Sequence, residues 1–194
     1  MIALDSVIIG ALIGLLRGGA IGNLAKVQLR YEMTIAVLFA TQMALPRVAE
    51  LGGLSSTEAV AAWLAVMGLL VLAAGSNWRS LGMALATLGI ACNALVIGVN
   101  CGMPVSLKAV ETISGQVPAA DVLADDLVHV PLDSDTRLVA LADVIAFPGP
   151  AWHRSVISIG DVLLALGVCV FIVRGMATPS VSASGRSAPT QGNA

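Results

Sequence analysis

Charged and aromatic residues are scarce in this sequence. Of its 194 residues, 11% are charged and 4% are aromatic, whereas 57% are hydrophobic. Soluble domains contain about 25% charged residues, so this composition excludes an ordinary soluble domain. The ten basic residues are scattered along the chain and form no basic patch, which excludes a nucleic-acid-binding surface.

Cysteine is also rare, with only Cys92, Cys101 and Cys169. Three cysteines in apolar surroundings exclude a disulfide framework. A cleavable signal peptide is not indicated either, because Asp5 replaces the positive start of such a peptide and no small-residue cleavage site follows. The first apolar stretch is therefore expected to be retained as a helix.

Long hydrophobic runs are abundant. A membrane-spanning helix needs about 20 apolar residues to cross a hydrocarbon core about 30 Å thick. The run 81–99 meets that length by itself, and the others approach it with their flanking residues. The sequence therefore predicts an all-α polytopic membrane protein whose bundle covers 1–176. It has about five transmembrane helices, at 1–16, 33–45, 59–74, 81–99 and 156–173.

The second run is the least regular of the five. It contains Thr41 and Gln42 and stops at Pro46. As a spanning helix it could tilt little and thin the bilayer, or it could extend through Arg47 and Glu50 as a snorkelling pair; the other alternative is a re-entrant segment. The spanning alternative is favoured.

Basic residues predict the orientation, because cytoplasmic loops of membrane proteins are enriched in Lys and Arg. The connection after the first run carries Arg17, Lys26 and Arg30 and is assigned to the cytoplasm. Five spans then place the N-terminus outside and segment 100–155 outside. The Ser-, Ala- and Pro-rich tail 177–194 is expected to be cytoplasmic and disordered.

The outer segment 100–155 contains too many apolar residues for a solvated linker. We expect it to fold against the outer helix ends and to contain two short helices, at about 107–114 and 136–144. Ser106 is placed to cap the first of them.

Asp161 is the first candidate functional residue. It precedes Arg174 by thirteen residues, about 20 Å of helix, so it is expected just below the outer membrane surface if Arg174 reaches the inner one. An intramembrane carboxylate is by default a functional candidate, and His153 or Arg154 is its nearest potential partner in sequence. Ser158 stands at capping-box spacing before it, however, and the helix cap is the favoured interpretation.

Three further polar residues are candidates. Asp5 precedes an Arg-Gly pair at 17–18, as Asp161 precedes one at 174–175, so each of the two predicted helices begins near an acid and ends in Arg-Gly. Asn93 and Asn100 are seven residues apart and share one face of the fourth helix. Asn93 lies near the middle of the membrane, where an amide side chain usually bonds a neighbouring helix, so packing is favoured over ligand binding for it.

A weak metal-binding pattern is formed by His129, Asp133 and Asp135 in the outer segment. Histidine and carboxylates are suitable ligands for a divalent ion, but the spacing matches no established site. Solvated acids are the more ordinary interpretation, and the sequence predicts neither a metal nor another cofactor.

Four motifs follow one another in the chain: Leu-Arg-Gly-Gly at 16–19, Asn-Cys-Gly-Met-Pro-Val at 100–105, Asp-Thr-Arg-Leu at 135–138, and Ser-Ile-Gly-Asp-Val-Leu-Leu-Ala-Leu-Gly at 158–167. As a set they resemble an uncharacterised family of small multi-span bacterial membrane proteins, common in actinobacteria and other Gram-positives. The resemblance implies a multi-pass protein of the bacterial plasma membrane and supplies no activity.

Three functions remain open, in this order. The first is a non-enzymatic scaffold or accessory component, whose partners are the lipid bilayer and another membrane protein or a second copy of this chain. The second is a small transporter or ion pathway using Asp161 and Asn93, against which stand the odd helix count and the lack of inverted repeats. The third is a membrane enzyme acting on lipid or cell-wall precursors near His129.

Overall fold

The computed structural model describes residues 2–116, 126–148 and 153–177. Helices dominate the fold and four three-residue strands accompany them. The helices are α1 (Ile2–Leu16), α2 (Glu32–Leu51), α3 (Ser56–Gly75), α4 (Leu81–Asn100), α5 (Leu107–Ser114) and α6 (Ile159–Met176). The strands are β1 (Met103–Val105), β2 (His129–Pro131), β3 (Ile145–Phe147) and β4 (Ser155–Ile157).

Four of the described helices, α2, α3, α4 and α6, are long and apolar enough to cross a membrane. α1 is also apolar but has 15 residues, about 22 Å of helix, which is shorter than the hydrocarbon core. Large apolar side chains such as Leu12, Val37 and Leu72 face outward, as expected where the surrounding solvent is lipid. The predicted fold class, a helical polytopic membrane protein, is confirmed.

α2 corrects the predicted limits of the second run. The sequence indicated 33–45 with a stop at Pro46, whereas the helix continues through Pro46 to Leu51. Arg47 and Glu50 form an exposed ion pair on its last turns, as in the snorkelling alternative. Pro46 has no N–H to donate to the carbonyl of Gln42, so the helix lacks one backbone bond at this point.

Small residues set the closest helix contacts. α4 runs antiparallel to α6, since Gly82 lies against Phe171 while Gly89 lies against Gly160. A Cβ on Gly82 would come 2.6 Å from the backbone nitrogen of Phe171, so only glycine allows this approach. α1 packs parallel to α6, with Gly10 against the backbone of Cys169.

One end of the bundle, here called the turn face, is formed by the turn at 76–80 and a 3-10 turn at Ile21–Lys26. The 3-10 turn is held to the end of α6 because Ala20 N–H and the Asn23 side chain both donate to the carbonyl of Met176. Asn77 exchanges two hydrogen bonds with the backbone of Arg30 and so joins the two turns.

The opposite end, here called the segment face, carries the described parts of segment 100–155. β1 and β2 pair in parallel and β3 and β4 pair antiparallel. β1 packs on α4, and a 3-10 turn at Val139–Leu141 contacts both α4 and α6. The prediction that this segment folds against the helix ends is therefore confirmed for its described residues.

The two short helices predicted in this segment have different outcomes. The one at 107–114 is confirmed as α5, and the Ser106 side chain caps it by accepting from Ala109 N–H. The one at 136–144 is wrong, because only Val139–Leu141 form a single 3-10 turn there. The residues after that turn pair instead: Asp143 bridges Val105, and β3 follows. The tail from 178 onward lies outside the described residues.

Candidate functional site

Asp161, Ser158 and Asn93 form one hydrogen-bonded group between α4 and α6. Ser158 and Asp161 cap α6 reciprocally: Asp161 N–H donates to the Ser158 hydroxyl, and Ser158 N–H donates to Asp161 Oδ2, both at 3.0 Å. Asn93 Nδ2 donates to Asp161 Oδ1 at 2.8 Å, and the Ser158 hydroxyl lies 3.0 Å from Asn93 Oδ1. The predicted capping box is confirmed, and the same carboxylate also joins two helices.

His153, one of the two partners that the sequence suggested for Asp161, has a different partner. His153 Nε2 lies 2.9 Å from Asp5 Oδ2 instead, so the His153–Asp5 pair connects the start of α1 to the segment face. Asp5 and Asp161 therefore lie in separate contacts.

Asn100, although on the same helix as Asn93, has a different role. Its side chain accepts from Arg137 N–H at 2.8 Å and donates to the carbonyl of Arg137 at 2.9 Å. It thereby binds the chain before the 3-10 turn to the end of α4. These contacts use both ends of the amide, which makes Asn100 a structural clamp.

A cavity, here called the segment-side cavity, lies beside the Asp161 group beneath the segment face. It has two adjoining parts of about 150 and 250 Å³. α2, α3, α4 and α6 form the wall of the inner part together with Met103, His129 and Asp143 from segment 100–155. The outer part opens between α2 and α6, bordered by Met43, Ala165 and strand β4. Six polar residues line the inner part: Gln42, Trp63, Asn93, His129, Asp143 and Asp161.

Three of these polar residues carry an atom that is buried and has no hydrogen-bond partner among the described residues. The atoms are Gln42 Oε1, Trp63 Nε1 and Asp143 Oδ1. Asp143 is 7% exposed and Gln42 is 9% exposed. A buried polar atom left without a partner costs about 1–3 kcal/mol, so native proteins rarely retain one without a reason. Here three such atoms line the inner part of one cavity, and Ser155 Oγ, which also has no partner among the described residues, belongs to its outer part.

Asp143 reaches the cavity through backbone pairing. Its N–H donates to the carbonyl of Pro104, and its carbonyl accepts from Ser106 N–H, both at 2.9 Å. Burial raises the pKa of its carboxyl to about 7, with a further contribution from the negative charge of Asp161. The positive charge of His129 acts in the opposite direction. Asp143 therefore titrates near neutral pH.

His129 joins the cavity to the exposed side of the segment. Its Nδ1 lies 2.8 Å from Asp126 Oδ2, and its ring meets the indole of Trp63 edge-on. Burial alone lowers the pKa of His129, but the hydrogen bond and charge of Asp126 outweigh burial and raise it. For Asp126, burial is likewise outweighed by hydrogen bonds from the His129 ring and from the N–H groups of His129 and Val128. They lower its pKa to about 2.

The weak metal pattern of His129, Asp133 and Asp135 is distributed over different contacts. His129 pairs with Asp126, while Asp133 Oδ1 accepts from Asp135 N–H and from the Thr136 hydroxyl within a turn. Among the described residues, no group of three or more His, Cys, Asp or Glu side chains is arranged to hold a metal ion.

Sequence reasoning missed three residues of the cavity: Gln42, Trp63 and Asp143. Gln42 was visible as a polar residue inside an apolar run, yet it served there only as a sign of an irregular helix. An indole near the end of an apolar run, as at Trp63, is typical of an interfacial aromatic residue and does not indicate a site. Asp143 had no distinguishing signal, because its burial depends on pairing with β1, about 40 residues earlier in the chain.

Comparison with protein families gives one match. The family model described as "Family of unknown function (DUF5317)" covers residues 26–173. The chain belongs to this family. The matched range contains α2 to α5, α6 as far as Val173 and every residue that lines the segment-side cavity, and it leaves out α1. The resemblance inferred from the motifs is thereby confirmed at the level of an uncharacterised family. Comparisons with curated proteins and with solved structures gave no significant match.

Proposed function

We propose that this member of the DUF5317 family is an integral protein of the bacterial plasma membrane that binds a small polar ligand in the segment-side cavity. The observation that carries the proposal is the convergence of Gln42 Oε1, Trp63 Nε1 and Asp143 Oδ1, three unpartnered buried atoms, on one cavity. A ligand with hydrogen-bonding groups would satisfy them, and this would explain why they are kept.

The proposed orientation places the segment face outside the cell. Among the described residues, the turn face carries Arg17, Lys26, Arg30, Arg79 and Arg174 against the single acid Glu32. The segment face carries nine described acids and four described bases. This asymmetry supports a cytoplasmic turn face. The cavity then opens toward the outer half of the membrane.

The cavity favours binding over conduction. Toward the turn face, α4 and α6 meet at Gly82, Ala86 and Gly167 with backbone against backbone. A continuous pathway between these two helices is therefore closed where the cavity ends. The proposal combines two of the sequence-based alternatives: an accessory component without catalysis, and a ligand site that includes Asp161 and Asn93. We further propose that the exposed apolar faces of α1 and α2 contact lipid and a membrane partner or second copy.

Thiol labelling tests whether the cavity is reachable from outside. In a background with Cys92, Cys101 and Cys169 changed to Ala, Met67→Cys places a thiol in the cavity wall. Gly68→Cys is the matched control, because Gly68 is the next residue of α3 and a Cβ there meets nothing within 4 Å. Membrane-impermeant thiosulfonates of either charge are applied to intact cells.

We expect at least one of the two reagents to label Met67→Cys and neither to label Gly68→Cys, since a lipid-facing thiol forms little thiolate. Equal and negligible labelling of both variants would contradict the proposal. The orientation is tested separately with reporter fusions at residue 178 and within the 106–115 region. Cytoplasmic reporter activity from the second fusion would overturn the orientation.

A further inference from the structure

The charges and free hydrogen-bonding atoms of the segment-side cavity also specify a ligand class, an inference that rests on the proposed function. We propose that the ligand is a small aliphatic ammonium ion that carries a hydroxyl group. The argument uses the charge of the wall, the chemistry of its free atoms, the nature of the apolar wall and the size of the space.

The wall is acidic. Asp143 and Asp161 line both parts of the cavity, and neither Lys nor Arg is among its described lining residues. His129 is the only basic side chain there, and its Nδ1 already faces Asp126. Bringing a carboxylate or phosphate into this site would place like charges together in a medium of low dielectric constant, which is strongly unfavourable. The wall therefore selects against anions and for a cation.

The free atoms match an ammonium group and a hydroxyl. Asp143 Oδ1 and Gln42 Oε1 are unpartnered acceptors, and an ammonium group donates up to three hydrogen bonds and accepts none. Trp63 Nε1 is an unpartnered donor and requires an acceptor, which a hydroxyl oxygen supplies. A simple alkylamine would leave the indole N–H without a partner, and a diol would leave the carboxylate charges uncompensated.

The remaining wall suits an organic cation better than a metal ion. Phe39 and Trp63 contribute aromatic rings to the inner part, and aromatic faces attract ammonium groups. The described residues hold no cluster of metal-ligating side chains. The inner part, at about 150 Å³, is as large as a cavity known to accept benzene, so it accommodates a short amino alcohol.

Ethanolamine is the probe. Ethylene glycol is its uncharged counterpart of similar shape, and glycolate is its counterpart of opposite charge. Each is titrated into the full-length protein in nanodiscs of phosphatidylglycerol, with binding followed by calorimetry and by thermal stabilisation. We expect ethanolamine to bind at least about tenfold more tightly than ethylene glycol, as expected for a charge-assisted hydrogen bond, and glycolate not to bind.

Two variants localise the effect. Asp143→Asn keeps the shape of the side chain but removes its charge, and we expect it to weaken ethanolamine binding about tenfold. Trp63→Phe removes only the indole donor and is expected to reduce the preference for ethanolamine over ethylamine. Size-exclusion profiles and melting curves show whether each variant is folded, and either variant alone is sufficient for the test.

The outcomes separate this inference from the proposed function. Equal binding of ethylene glycol and ethanolamine, or tighter binding of glycolate, overturns the cation class but leaves a binding cavity. Failure of all three probes, with Met67→Cys still labelled from outside, also overturns the ligand class alone.

Repeating the titration in nanodiscs with phosphatidylethanolamine tests a lipid source of the ammonium group. The ethanolamine oxygen of that lipid is esterified to a phosphate, which the acidic wall disfavours, so we expect an unchanged ethanolamine response there. Loss of the response would identify the lipid head group as occupant and would overturn the free hydroxyl group as part of the ligand.

Discussion

At Gly82 and Gly89, α4 lies so close to α6 that no side chain fits between them, whereas one turn beyond Gly89 the same helices are joined by polar side chains. There Asn93 bonds Asp161, and a cavity opens on the side toward α2 and α3. The close-packed half is satisfied by its own contacts. The polar half contains four cavity-lining atoms that are buried and that the described residues do not satisfy. The two halves therefore differ in how their polar groups are satisfied: one holds the bundle together by close packing, and the other is the half for which we propose a ligand.

The largest expected effect comes from disturbing the close-packed half. A Cβ at Gly167 would collide with the backbone nitrogen of Ala86 and lie 2.6 Å from the carbonyl oxygen of Gly82. Gly167→Leu should therefore separate α4 from α6 and abolish the folded monodisperse protein, and Gly167→Ala should cost about 1–3 kcal/mol. Fluorescence-detected size exclusion and melting curves measure both. Gly68→Leu is the control and should behave like the unmodified protein. A similar loss of folded, monodisperse protein in Gly68→Leu would show that the change in helix hydrophobicity, and not the contact between α4 and α6, causes the effect.

A smaller effect is expected at the boundary between the halves. Asp161→Ala removes a helix cap and the bond to Asn93, and should lower the free energy of unfolding by about 2 kcal/mol. Asp161→Asn retains an oxygen for the cap and should cost about 1 kcal/mol or less.

The comparison for Asp161 is the Ser55–Glu58 capping box at the start of α3, which is exposed and whose hydrogen bonds are local. Ser55→Ala should cost about 1 kcal/mol. If Asp161→Ala lowers the free energy of unfolding by no more than Ser55→Ala does, the hydrogen bond between Asn93 and Asp161 contributes nothing to stability.

The polar half should also make stability depend on pH. The pKa of Asp143 is about 7 in the folded protein and near 3.8 when unfolded, so between these values the folded state binds more protons. Stability should therefore fall as pH rises from 4 to 7, by on the order of 1–3 kcal/mol. The raised pKa of His129 adds a fall in the same direction at higher pH, and the lowered pKa of Asp126 matters only below pH 4.

Melting temperatures at pH 5 and pH 7 test this dependence. Asp143→Asn should show a much smaller difference between the two than the unmodified protein. A pH dependence that is the same in both proteins would exclude Asp143 as its source.

The parts of this fold that sequence predicts are those that depend on local composition. The run at 81–99 has about the length of a span, and the capping box at Ser158 occupies four consecutive residues, so both were readable. The continuation of α2 through Pro46 was only one of the alternatives that the sequence left open, because proline usually ends a helix and only the surrounding bundle decides otherwise.

The site was partly visible for the same reason. Asp161 and Asn93 were conspicuous as polar residues within apolar runs. Their contact was not predictable, because it depends on how α4 packs against α6. His129 and Asp143 reach the cavity through three-residue strands and a single bridge, which are too short to produce an alternating pattern. A site assembled from such non-local pairs has no signature in one sequence.

The most direct test compares two amide side chains, one that is buried at the cavity and one that is fully hydrogen-bonded to the backbone. Gln42 faces the cavity with an unpartnered oxygen, whereas the amide of Asn100 is fully engaged with the backbone of Arg137 and Val96. If the cavity is kept for a ligand, Gln42→Leu should leave the melting temperature of the purified protein unchanged or raise it, because an unsatisfied polar atom is removed. Asn100→Leu should lower it by several degrees. A Gln42→Leu protein destabilised as much as Asn100→Leu would contradict the account, because Gln42 would then be part of the packing and not of a binding site.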